Sequence, residues 1–156
     1  MNPLADPLRL LALSQFRRQR AELLITRTRQ QLQPLVQERA AFDGQEAALN
    51  SLLASHRASD CVLDHGQLLA LLRRQAVIRR QINLVRLERD RVDQQCREIE
   101  QTLQAQREQL RFAQRKHDKY EGAVQQLLRR QRLEQVRRDE REVEEMNGVS
   151  RCAMYL

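Results

Sequence analysis

The sequence predicts an all-α fold: one domain formed by a long antiparallel two-helix coiled-coil hairpin with a longer C-terminal helix. Three observations support this prediction. Arg, Leu, Gln, Glu and Ala dominate the 156 residues, which include no Trp, two Tyr and three Phe, and this composition is typical of a coiled coil. Helix breakers are scarce, with four Gly and three Pro. Apolar residues also recur at alternating spacings of three and four along most of the second half.

The first helix is predicted over about residues 7–56. Asp6 can cap the free amides at its start, and Pro7 is tolerated in the first turn. Pro34 predicts a kink near Gln33, because an interior proline removes a hydrogen bond and clashes with the preceding turn. The predicted buried seam is ragged and consists of Leu11, Arg18, Ile25, Leu32, Leu35, Arg39, Phe42, Glu46, Leu49 and Leu53.

A turn is predicted over residues 57–65, where small and capping residues cluster. Asp64 is the predicted N-cap of a second helix over about residues 66–146. The pair Asn147-Gly148 is predicted to end that helix and to leave a flexible tail over residues 147–156.

The seam of the second helix is the strongest signal in the sequence. Its three-four series has 17 positions, of which 13 are apolar, and the exceptions are Gln75, Arg89, Gln106 and His117. The series is about eight heptads long, beyond the three or four that indicate a coiled coil, and its period predicts a left-handed supercoil. His117 is interpreted as a packing residue, with pH sensing as the alternative. The series consists of residues 71, 75, 78, 82, 85, 89, 92, 96, 99, 103, 106, 110, 113, 117, 120, 124 and 127.

The two predicted helices differ in length, at ~75 Å for the first and ~120 Å for the second. Pairing from the turn brings the start of the first helix opposite roughly residue 115. The second helix is therefore expected to project over about residues 116–146 without an intramolecular partner. Such a segment is suited to insertion into another molecule.

The formal net charge of +7 is distributed unevenly along the chain. Residues 66–130 carry 15 basic and 8 acidic side chains, against 8 and 7 in residues 1–65. Of the 28 basic residues 26 are Arg, which suits bidentate contacts with carboxylates and phosphates, although compositional bias also accounts for it. The basic segment fits a solvated helical face at least as well as a nucleic-acid surface.

The sequence contains no motif typical of a catalytic or cofactor site, and no enzymatic activity, cofactor or metal is predicted. Its four Gly are isolated, so no phosphate-binding loop is present, and its Ser residues lack a His and acid arrangement. Metal-ligating residue types cluster at the turn, but the mixture matches no standard zinc site and is interpreted as polar capping. The cluster consists of His56, Asp60, Cys61, Asp64 and His65.

The cysteines and the hydropathy indicate a cytosolic protein. Three widely spaced Cys residues fit a reducing compartment and suggest no disulfide framework. The apolar N-terminus, residues 1–12, lacks the positive region and cleavage site of a signal peptide. No stretch approaches the ~20 apolar residues of a membrane span, so direct membrane insertion is not expected.

Four segments of the second helix resemble the InvI/SpaM family of type III secretion proteins. Residues 71–82, Leu-Leu-Arg-Arg-Gln-Ala-Val-Ile-Arg-Arg-Gln-Ile, are similar to the start of that family's second helix. Residues 115–121 and 128–132 resemble its later basic stretch, and the acidic segment 140–145 also fits. The resemblance covers roughly residues 65–146, and the first helix matches in length and pattern only.

The resemblance implies a role. InvI/SpaM proteins are counterparts of the flagellar export protein FliJ and of YscO, and their architecture is similar to the coiled coil of the gamma subunit of rotary ATP synthases. The family implies a non-enzymatic cytoplasmic stalk, peripheral to the inner-membrane secretion apparatus. One end of this stalk sits in the pore of a hexameric secretion ATPase, and the other faces the membrane export-gate protein. Secretion chaperones are further implied partners.

Two surfaces are predicted to make these contacts. The run of leucines at residues 68–72 is wider than a two-helix seam requires, so it is either a docking patch or is covered by the turn. The tip is predicted to face the gate through Leu52, Leu53, Leu68, Leu69 and Leu72. The end near the termini is predicted to bind the ATPase through Arg129, Arg130, Arg132, Arg137, Arg138 and Glu142.

Two other functions are consistent with the sequence. The basic segment 66–130 suits a helical arm that binds RNA or DNA, although nucleic acid is not the expected partner, and such binding would fall steeply with salt. A generic homodimeric coiled-coil scaffold is the third interpretation. Light scattering distinguishes that scaffold from a monomeric hairpin.

Overall fold

The computed structural model of the chain describes residues 5–57 and 61–153, with side chains described through residue 149. Within these ranges the fold consists of two α-helices and contains no strand. Helix α1 spans Ala5–Ser55 and helix α2 spans His65–Ala153. The helices pack against each other as a hairpin, which confirms the predicted all-α fold.

The chain divides into two compact units, each built from parts of both helices. The terminal unit consists of Met1–Glu22 and Glu108–Leu156, and the hairpin unit consists of Leu23–Arg107. That the whole chain forms a single domain stays a prediction.

Helix α1 begins slightly earlier than its sequence signals suggest. Asp6 lies inside the first turn and not before it, where a carboxylate still favours the positive end of the helix dipole. The helix continues through Pro34, whose side chain is exposed, so the missing amide removes one hydrogen bond on the solvent side. The kink near Gln33 stays a prediction.

Hydrogen bonds around Asp64 fix the start of α2. The Asp64 carboxylate accepts from the His65 amide at 2.6 Å, and the Asp64 amide donates to the Gln67 side chain at 3.1 Å. The Asp64 carbonyl accepts the first helical hydrogen bond, from the Leu68 amide at 2.9 Å. Asp64 is therefore the N-cap, as predicted, and Gln67 completes a reciprocal capping arrangement.

Helix α2 continues past Asn147 and Gly148 to Ala153, so the predicted helix end and the flexible tail are wrong as far as residue 153. A glycine ends a helix when it adopts a left-handed conformation, and the φ of Gly148 lies outside that region. No proline follows Gly148 to interrupt the helix. Residues 154–156 of the predicted tail lie outside the described residues.

The predicted three-four series of α2 is the buried face of that helix. All 17 positions between residues 71 and 127 are buried or half-buried, and Cys96 is the most enclosed at 1% exposed. All the predicted seam residues of α1 are likewise buried or half-buried. Ser14 and Thr28 share this seam at 5% and 7% exposed, since they complete its three-four spacing between Leu11 and Arg18 and between Ile25 and Leu32.

The two helices pair with an offset along their axes that the sequence pattern did not predict. In the hairpin unit, the Gln75 side-chain amide donates to the His56 carbonyl at 2.8 Å. The end of α1 therefore lies close to residue 75, ten residues after the start of α2. Because pairing with α1 is displaced this far along α2, burial of the α2 seam continues as far as Leu127. The unpaired segment begins at residue 128, and the predicted start near residue 116 is wrong.

Candidate protein-interaction surfaces

Four polar residues interrupt the apolar seam of α2. Three of them form hydrogen bonds with α1, and Gln75 forms one with His56, the residue directly after α1. Polar groups in a seam are satisfied in one pairing only, so they favour that register over slipped alternatives. The contacts join Gln75 to the His56 carbonyl at 2.8 Å, Arg89 to Glu46 at 2.8 Å, the Thr28 hydroxyl to Gln106 at 2.8 Å, and Ser14 Oγ to His117 Nδ1 at 3.1 Å.

Charged residues in and beside the seam pair across the two helices of the hairpin unit. Glu46, whose side chain is 14% exposed, accepts from Arg86 at 2.6 Å and from Arg89 at 2.8 Å. Arg39 donates to Asp93 at 3.0 Å. This hydrogen bond from Arg39, with the nearby Arg97 guanidinium, holds the pKa of the Asp93 carboxyl below its usual value. The ionised form of Asp93 is therefore favoured by the folded state.

Asp93→Asn should lower the melting temperature at neutral pH but not at strongly acidic pH. A carboxyl whose pKa is lowered by folding contributes stability above its unfolded pKa of about 3.9. That contribution is lost as the pH falls through the lower folded pKa, where wild type and variant should converge. Thermal unfolding followed by circular dichroism across this pH range measures the effect. Glu88→Gln is the control, since Glu88 is exposed and forms no ion pair within the described residues. A difference in melting temperature between Asp93→Asn and wild type that is the same at neutral and at strongly acidic pH would contradict the prediction.

The arm, defined as residues 128–149 of the terminal unit, has every side chain exposed. Its apolar residues include Leu133 at 60% and Val143 at 56% exposed, values that indicate a surface left for a partner. None of its arginines pairs with a carboxylate within the part of the chain that the structure describes. All the residues predicted to bind the ATPase lie on the arm: Arg129, Arg130, Arg132, Arg137, Arg138 and Glu142.

Charge divides the arm into two halves. Residues 129–138 contain five Arg and one Glu, whereas residues 139–145 contain five carboxylates and one Arg. A side-chain amide of Gln135 donates to Asp139 at 2.9 Å across the boundary between them. A partner that encloses the arm therefore meets hydrogen-bond donors along one half and acceptors along the other.

The tip, defined as residues 47–57 and 65–85 of the hairpin unit, exposes a group of leucines. Leu68, Leu69 and Leu72 are 41%, 41% and 50% exposed, so the described part of the turn does not cover them. Of the two alternatives for residues 68–72, the exposed patch is the one observed. Leu52 is also exposed, at 44%, whereas Leu53 is half-buried in the seam.

The described residues contain no group of three or more His, Cys, Asp and Glu side chains that could hold a metal ion. Of the residues that cluster at the turn, Asp60 lies outside the described part of the chain. Neither helix, over its described length, contains a stretch apolar enough to cross a membrane.

The fold and its surfaces define an all-helical coiled-coil protein that leaves an arm and a tip exposed. Residues 6–147 match the family described as Salmonella surface presentation of antigen gene type M protein, and the chain belongs to this family. The match confirms the resemblance to InvI/SpaM proteins. The family consists of accessory proteins of type III secretion, so the chain is a type III secretion-associated protein. Comparison with curated proteins and with solved structures found no match.

Proposed function

We propose that the chain is a non-enzymatic central stalk of a type III export apparatus, linking the hexameric secretion ATPase to the membrane export gate. The observation that carries this proposal is the arm, residues 128–149, in which a single helix continues after pairing with α1 has ended. A helix without a partner has little to stabilise it by itself, because most helical stability in proteins comes from packing. Its persistence for 22 exposed residues supports a role in which another protein surrounds it.

A lone helix suits the pore of a ring because it offers side chains in every direction. The arginines of residues 129–138 can contact acidic and carbonyl oxygens on several subunits at once, and the carboxylates of residues 139–145 can contact basic groups. Each such contact is weak when it is exposed to solvent. Many shallow contacts fit a stalk that is held in a ring without being locked to one subunit.

The second contact of a linking protein requires another surface, and the tip provides one in the hairpin unit. Leu68, Leu69 and Leu72 form an exposed apolar patch on the first turns of α2. We assign this patch to the export gate, together with the exposed Leu52 on α1. In this arrangement the stalk lies in the cytoplasm at the inner-membrane apparatus, and secretion chaperones are a further class of partner.

Deleting residues 128–156 tests the assignment of the arm. The truncated chain should lose capture of the purified secretion ATPase in a pull-down, since it retains the paired seam through Leu127 but none of the arm. The matched control is the full chain with Leu68, Leu69 and Leu72 changed to Ser, which should capture the ATPase normally and lose binding to the gate's cytoplasmic domain.

Two results would count against the proposed function. The first is undiminished ATPase capture by the truncated chain, which would remove the arm from that contact. The second is loss of ATPase capture by the leucine variant with the arm intact, which would reverse the assignment of the two surfaces. Circular dichroism of both proteins verifies that the hairpin remains helical.

A further inference from the structure

Positive charge predominates at the tip. Residues 47–57 and 65–85 contain five Arg and no Asp or Glu. Asp64, between these ranges, already accepts a hydrogen bond from the His65 amide at 2.6 Å. No tip arginine forms an ion pair among the described residues, in contrast to Arg86, which donates to Glu46 at 2.6 Å in the same unit. The five tip arginines are Arg57, Arg73, Arg74, Arg79 and Arg80.

Two of these arginines border an apolar groove between the helices. Leu52 of α1 and the adjacent His56 line the groove on one side, and Arg73, Arg74, Val77 and Ile78 of α2 line it on the other. Val77 is 68% exposed and Leu52 is 44% exposed, whereas Ile78 is buried at 9%. The groove therefore offers accessible apolar walls over a floor that belongs to the seam.

The groove is formed before any partner arrives. Its end is fixed by the Gln75 side chain, which donates to the His56 carbonyl at 2.8 Å. The His56 ring in turn lies on α1, with Nδ1 2.9 Å from the Leu52 carbonyl. Because these hydrogen bonds hold the backbone on both sides of the groove, little conformational entropy is lost in ordering the groove when a partner segment binds.

We propose that this groove binds an acidic amphipathic segment of a partner protein. An apolar side chain of that segment packs against Leu52 and Val77, and its carboxylates accept from the guanidinium groups of Arg73 and Arg74. Arginine suits this pairing because its planar fork donates two parallel hydrogen bonds to one carboxylate. That the segment belongs to the export gate rests on the proposed function, whereas its acidic and apolar chemistry rests on the groove itself.

The geometry favours a protein segment over a lipid surface or a nucleic acid. At 3.6 residues per turn, Val77 lies about 140° around α2 from Leu72. A flat membrane that rests on Leu72 therefore does not also cover the Val77 wall of the groove. The described residues of the tip also include no Phe, Tyr or Trp on which an unpaired base could stack.

Charge reversal at two neighbouring pairs tests the proposal in the full-length chain. Arg73→Glu with Arg74→Glu should weaken binding to the purified cytoplasmic domain of the gate by about tenfold or more, since carboxylates would face carboxylates. Arg79→Glu with Arg80→Glu makes the same change of charge on the same helix at residues that do not line the groove, and it should alter affinity by about twofold or less. Circular dichroism checks that both variants keep wild-type helicity.

The outcomes separate this inference from the proposed function. Equal weakening of gate binding by the two charge-reversal pairs overturns the groove in favour of diffuse electrostatic attraction. Binding of wild type to anionic vesicles or to single-stranded RNA, without binding to the gate domain, identifies a lipid or a nucleic acid as the partner and also overturns the inference. Loss of gate binding in the leucine variant, with full binding by Arg73→Glu/Arg74→Glu, overturns the groove while the gate contact stands.

If wild type does not bind the gate domain, the proposed gate contact fails. The groove is then tested separately by selecting peptides from a displayed random-peptide library with the wild-type chain. Peptides retained by the wild-type chain should combine Asp or Glu with apolar residues, and they should not be retained by Arg73→Glu/Arg74→Glu. Enrichment of basic peptides, or of none, overturns the inference.

Discussion

Replacing Ile82 with Ala should lower the free energy of unfolding by about 2–5 kcal/mol, the range for removing a large aliphatic side chain from a packed core. Ile82 is 4% exposed and lies on the α2 seam of the hairpin unit. A two-helix hairpin has no further layer of packed side chains behind the seam. The cavity left by the missing atoms therefore cannot be filled by the movement of neighbouring core residues. Urea unfolding followed by far-UV circular dichroism measures the loss.

Leu87→Ala provides the matched control for this prediction. It removes a similar aliphatic group from the same helix, but Leu87 is 66% exposed and lies off the seam. Its effect should stay within about 0.5 kcal/mol, as for other surface substitutions. Similar losses for the two variants would mean that the heptad face does not carry the stability of the hairpin.

Replacing Ser14 with Ala should destabilise the chain by about 1–3 kcal/mol, although alanine is the better helix former. Ser14 is 5% exposed, and its hydroxyl lies 3.1 Å from the Nδ1 of His117, itself 9% exposed. Without that hydroxyl, a buried imidazole nitrogen has no hydrogen-bond partner from α1. The loss comes from the unsatisfied group and not from the volume removed.

Two further variants isolate the cost of the unpaired imidazole. The Ser14 hydroxyl donates to the Leu11 carbonyl of its own helix at 2.7 Å, and the exposed Ser51 hydroxyl donates likewise to the Ala47 carbonyl at 3.0 Å. Ser51→Ala therefore removes an equivalent local hydrogen bond without unpairing a buried group, and it should be near neutral. The double variant Ser14→Ala/His117→Leu removes both polar groups, so its stability should return to the wild-type value or exceed it. If the double variant is less stable than Ser14→Ala alone, the polar pair contributes net stability and this account of it is wrong.

The buried face of α2 could be predicted because its physical cause is periodic. Apolar residues that repeat every three and four positions must lie on one side of a helix, and burial of that side against another helix is favourable. The pattern also extended correctly through Gln75, Arg89, Gln106 and His117, where the spacing outweighed the residue type. The two-helix hairpin followed from the same pattern together with the capping signals at Asp64.

Other features lay beyond the reach of the pattern. Ser14 and Thr28 fall at seam spacing in α1, but their pairing with His117 and Gln106 could not be predicted, because spacing within one helix carries no information about the residues opposite it. The offset of pairing depends on the path of the connection after Ser55, which local residue preferences do not determine. That offset also shortened the arm, so the ATPase-binding residues predicted from residue 129 onward fall on it while residues 116–127 do not.

The polar contacts spaced along the hairpin unit have a consequence for how such proteins can vary in size. Residues 32–38 of α1 lie opposite about residues 94–100 of α2, between the Thr28–Gln106 and Arg39–Asp93 pairs. Removing both seven-residue blocks together keeps every remaining interhelical polar pair in register. Removing either block alone shifts the register of all the pairs on one side of the deletion. Relatives of different span should therefore differ by matched insertions or deletions in the two helices, in multiples of seven.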